Sequence, residues 1–70
     1  CNANALTDLA SASEMALSSV KIAAMNVKIN LQYISGEDVE MLSSRIEHIV
    51  RESVNSANNV MVKVNERLEW

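Results

Sequence analysis

The chain has 70 residues, 49% of them hydrophobic and 21% charged, with a formal net charge of −3; that is enough for one small domain, 1–70, with trouble burying its apolar surface alone. Lys and Arg form no basic stripe, so nucleic-acid binding has no electrostatic footprint. Glu14, Lys21 and Lys28 interrupt the apolar first half, which excludes a membrane span there.

The aromatic residues are Tyr33 and Trp70 alone, so a core must be aliphatic, a mix that suits helices better than a small sandwich or barrel. Cys1 is the single cysteine and rules out an intramolecular disulfide framework. A chain opening on Cys reads as a processed or excised product or as carrying an added residue, with a lipid-bearing Cys1 as the alternative. No signal peptide or transit segment is recognisable in these residues.

In chain order, Asn2 or Asn4 offers an N-cap. Leu6, Leu9, Ser13, Ala16, Val20, Ala24, Val27, Leu31 and Ile34 then recur at intervals of three and four, which predicts a helix over about 4–34. Thr7, Ser11, Glu14, Ser18, Lys21, Lys28 and Gln32 confine its polar side to one stripe, broken by Met25. Met15, Ile22 and Ile29, spaced by sevens, form a second apolar ridge outside the first, as in a helix that touches more than one neighbour.

Ser35 and Gly36 supply the turn. Gly36 is the only glycine and proline is absent, so this is the one strong place to reverse direction, with Gly36 ending the first helix in a left-handed conformation. Ser35 reads as the N-cap of the second helix, with Asp38 near a capping-box position; Glu37, Asp38 and Glu40 suit the positive end of its dipole. Val39, Leu42, Ile46, Ile49, Ser53, Ala57, Val60, Val64 and Leu68 carry that helix over about 37–68, with Glu47 and Arg51 as an i,i+4 pair.

Folded about Gly36, the two series match antiparallel: Leu31 meets Leu42, Ala24 meets Ile49, Ala16 meets Ala57 and Leu9 meets Val64. Through the middle large meets small, Ala24 with Ile49, Val20 with Ser53 and Ser13 with Val60, which favours an all-α antiparallel helical hairpin, with two hairpins completing a four-helix bundle. The rival is α-β-α-β, because Val27, Ile29, Leu31 and Tyr33 alternate as a strand would, as do Val60, Val62 and Val64.

The chemistry-bearing residues are sparse. There is no Gly-rich phosphate loop, and Glu47, His48 and Glu52 fall short of a selective metal site; no cofactor is implied. His48 admits a phosphoryl-acceptor role in a signalling helix, set against an ordinary solvated histidine. The expectation is therefore a non-enzymatic structural or interaction protein, either a homo-oligomer or one that holds a helical partner as a chaperone or adaptor does. Met15, Ile22, Ile29, Val54, Met61 and Val62 are the expected partner interface, since none fits the seam between the two halves.

Overall fold

The computed structural model describes residues 2–68 and consists of two long helices, α1 (Ala3–Leu31) and α2 (Glu37–Leu68), laid against each other. Cys1 and Trp70 lie outside the described residues. No strand occurs among the described residues, so α-β-α-β is excluded: Val27–Tyr33 runs on the helical ladder through Leu31, and Val60–Val64 lies wholly inside α2. The β-branched alternation there lies on the helical ladder and pairs with no strand.

Each end of the hairpin has a local cause. Asn2 sits in extended backbone (φ −82°, ψ 157°) and its Oδ1 accepts from the Ala5 N–H at 2.8 Å, satisfying a donor that the first turn leaves free. At the other end α1 stops at Leu31, three residues short of the expected Ile34. The N–H groups of Gln32, Tyr33 and Ile34 donate to the carbonyls of Ile29, Asn30 and Leu31 at 3.3, 3.1 and 3.3 Å. These i→i+3 bonds tighten the last turn into a 3₁₀ form and use up carbonyls that the α pattern would orphan.

The chain then crosses between helices over residues 32–36, and Gly36 has φ +127°. This glycine does not end α1. It holds the position directly before α2, where its carbonyl accepts from the Val39 N–H at 3.2 Å. Ser35 is therefore one residue too early to be the N-cap. The positive φ that the reversal demands falls on the one residue without a Cβ, and α2 starts immediately after it. Glu37, Asp38 and Glu40 occupy its first turn and Arg67 its last, matching the dipole at both ends.

The seam is where the structure refines the pattern most. Leu6, Leu31, Ala57 and Val64 are buried, Val64 at 2% exposure. Between them Ala10, Ser13, Leu17, Val20 and Ala24 on α1 are half-buried, as are Val39, Ser43, Ile46, Val50, Ser53 and Val60 on α2. These positions step by strict alternation of four and three, with Val27 in register though more exposed. Leu9 and Ile49, expected in the seam, stand 52% and 53% exposed, and Leu42, Ala16 and Ile34 are also outside it.

A pair of helices this long must hold an average repeat of 3.5 residues to stay in contact. The expected series opened each helix with a step of three where the seam takes four, so it missed the contact line at Leu9, Ala16, Leu42 and Ile49 and rejoined it after two successive steps of four. Alanine or serine holds six of the seam positions, Ala10, Ser13, Ala24, Ser43, Ser53 and Ala57, so the contact buries little. The result is a rod of 51 × 15 × 15 Å with a radius of gyration of 16.1 Å, against roughly 11 Å for a compact chain of this length.

Candidate functional site

The feature that a function can use is the surface left over by this narrow seam. On α1, Met15, Ile22 and Ile29 fall midway between successive seam positions and point away from α2, 70%, 59% and 51% exposed. Met25 is likewise exposed. On α2, Val62 is exposed, whereas Val54 and Met61 are half-buried along one flank of the seam. The six residues expected at a partner interface thus do not form one patch: three make a ridge on the back of α1, two are partly covered by the hairpin itself, and Val62 stands apart on α2.

The two flanks of the seam differ in chemistry. One carries Lys28 Nζ at 3.7 Å from Glu47 Oε1, an exposed pair joining the helices. Glu47 makes this bond to α1 instead of the expected one to Arg51 on its own helix. The other flank is an open apolar cleft of about 270 Å³ lined by Val20, Ala23, Ala24, Val27, Ile46 and Ile49. It adjoins a second hollow of about 290 Å³ near Ala16, Leu17, Ser53 and Ser56. Small side chains on α1 form the floor of both, and Ile49 stands on the rim.

Polar groups are arranged for solvent. No polar or charged side chain is buried among the described residues, so no titratable group is held in the desolvated setting that catalysis uses to tune an acid or base. His48 Nε2 lies 3.8 Å from Glu52 Oε1 on the exposed side of α2, one turn apart. Among the described residues no three His, Cys, Asp or Glu side chains cluster as metal ligands would. Ser53, on the seam, donates its hydroxyl to the Ile49 carbonyl at 2.8 Å, which removes an unpaired polar group from the contact. Asn55, Asn58, Asn59 and Asn65 are all exposed. No described helix is long and apolar enough to cross a membrane.

A family model described as formiminotransferase-cyclodeaminase matches residues 1–52, a stretch that takes in α1, the turn and the first half of α2. The chain belongs to the formiminotransferase-cyclodeaminase family. No curated protein and no solved structure matches it. The family is named for two enzyme activities, which does not agree with the expectation of a chain unconnected with catalysis. Sequence reasoning missed this because it searched for reacting groups, and the matched stretch is dominated by aliphatic and small residues of a packing helix. It also missed Ala10, Leu17, Ser43 and Val50 as seam residues; the unbroken four-three spacing from Leu6 to Leu31, and again from Val39 to Val64, was the signal that could have found them.

Proposed function

We propose that this hairpin is an assembly element of a formiminotransferase-cyclodeaminase-type enzyme, supplying helix faces to a larger helical bundle and no reacting group of its own. Family membership supports the setting. The observation that carries the reading is the exposed ridge of Met15, Ile22 and Ile29 on a helix whose central charged residues, Glu14, Lys21 and Lys28, keep to one stripe. A helix apolar on nearly every side is one that neighbours surround. Covering the exposed half of Ile22 alone contributes roughly 1 kcal/mol, and the three ridge residues together roughly 3 kcal/mol, toward association.

Sedimentation equilibrium of the purified chain tests this. The expected mass at micromolar concentration exceeds the 7.7 kDa of one chain, and Ile22→Asp with Ile29→Asp returns it to that value. Assays for formimino transfer and for ring-closing deamination by the hairpin alone give background rates. A cooperatively folded 7.7 kDa monomer, or turnover by the isolated chain, would remove the proposal.

A further inference from the structure

We infer that the turn-proximal half of α2 has two settings against α1, related by a shift of its contact line from Ser43 and Val50 to Leu42 and Ile49. The device lies within one hairpin and goes beyond the assembly reading. Three observations lead to it.

The first is spacing. From Val39 the seam takes Ser43, Ile46, Val50, Ser53, Ala57, Val60 and Val64, in steps of four and three. A second apolar line leaves Val39 through Leu42, Ile46 and Ile49 and rejoins the first at Ser53. It contains two successive steps of four, from Ile49 to Ser53 and from Ser53 to Ala57. Such an insertion moves the local repeat from about 3.5 to about 3.67 residues per turn, and the repeat of an α-helix, about 3.6, lies between the two. Neither line takes the helix far from its own geometry.

The second is packing. Leu42 and Ile49 are 38% and 53% exposed, and Ile49 stands on the rim of the apolar cleft of about 270 Å³. Turning this half of α2 by about 50°, half the angle between adjacent residues, swings Ile49 into that cleft and Leu42 onto α1, while Ser43 and Val50 move out. A leucine and an isoleucine then replace a serine and a valine, so burial favours the second setting. The local unwinding of the coil that two successive fours bring favours the first. These opposed effects place the second setting at about 1–10% of the molecules.

The third is the boundary. On α1 a matching shift would replace Leu31, 8% exposed, with Asn30; at the far end of α2 it would replace Ala57 and Val64, 4% and 2% exposed, with Ser56 and Lys63. Burying the lysine is the most unfavourable of these changes, so α1 and the far end of α2 stay fixed. The rotation is absorbed between Val50 and Ala57, where the Ser53 hydroxyl donates to the Ile49 carbonyl at 2.8 Å, a bond of the kind that bends helices. The Lys28–Glu47 pair on the opposite flank separates in the second setting, and an exposed pair is too weak to hold the first. A neighbour packed on Leu42 and Ile49 selects the first setting, which couples cover on this flank to the rotation of α2.

Relaxation-dispersion NMR of the methyl-labelled chain tests this. Millisecond exchange is expected at the Leu42, Ile46, Ile49 and Val50 methyls, absent at Leu6 and Val64, and unchanged on dilution. Val50→Ser, which weakens the first setting alone, is expected to raise the minor population roughly fivefold, and Ile49→Ser to remove the exchange at Leu42. Val50 is half-buried and Ile49 exposed, so both variants keep their helix content by circular dichroism. Flat profiles in the unsubstituted chain and in Val50→Ser overturn the inference. So does exchange shared by Leu6 and Val64, which reports opening of the whole hairpin, or exchange that fades on dilution, which reports association. Two substitutions that move the population the same way show fraying near the turn and overturn it as well.

Discussion

Gly36 is the residue whose chemistry is least replaceable. Its φ of +127° lies where a side chain strains the backbone, yet a Cβ built there meets nothing within 4 Å. Any loss on substitution therefore comes from the backbone itself. Gly36→Ala is expected to lower stability by about 1–2 kcal/mol in urea unfolding, and D-alanine at the same position in a synthetic chain to restore most of it. Asn2 acts on a smaller scale: Asn2→Ala removes the acceptor for the Ala5 N–H and costs about 1 kcal/mol, read as faster amide exchange in the first turn of α1. The exposed Lys28–Glu47 pair contributes at most several tenths of a kcal/mol, so Lys28→Ala leaves the unfolding midpoint nearly unchanged.

At the scale of the helices, the question is which side of each rod meets the other. The seam runs through Leu17 and Val50, while Leu9 and Ile49 stand outside it. Leu17→Ala is expected to cost about 1–2 kcal/mol, below the range for truncating a fully buried leucine because the site is only half-buried. Leu9→Ala stays within about 0.5 kcal/mol. Equal effects at the two sites would mean the seam is rotated by one residue. The hairpin itself was legible from the spacing of apolar residues and from a lone glycine between two helical halves. The choice between Leu9 and Ala10, or Ile49 and Val50, was not, because neighbouring positions one residue apart are both apolar and hydrophobicity alone prefers the larger. Contact along a long seam favours the position that keeps the 3.5-residue repeat, even where that position is an alanine or serine. Site residues were legible only in part for a related reason: a ridge at sevens reveals an unpartnered face, but Val54 and Met61 sit close enough to the seam for the hairpin to cover them partly itself.

At the scale of the whole molecule, few buried side chains must hold together two helices of 29 and 32 residues. Four hydrophobic residues are buried among the described ones and twelve large ones are exposed. Helices of this length made of good formers hold some structure alone, but the seam's small residues give a weak tertiary term. If the proposed assembly forms, burying the α1 ridge becomes part of the folding free energy, and stability becomes inseparable from chain concentration. Raising the concentration from about 1 to about 100 μM then shifts a dimer's stability by roughly 2.7 kcal/mol at constant temperature, the mass-action equivalent of a hundredfold change. For a 70-residue chain that corresponds to a rise in Tm on the order of 10 °C or more. In the Ile22→Asp, Ile29→Asp chain the midpoint loses its concentration dependence and falls to that of the bare hairpin. A wild-type midpoint that stays fixed across that range would mean that the seam suffices and that the apolar ridge is carried without a partner of its own kind.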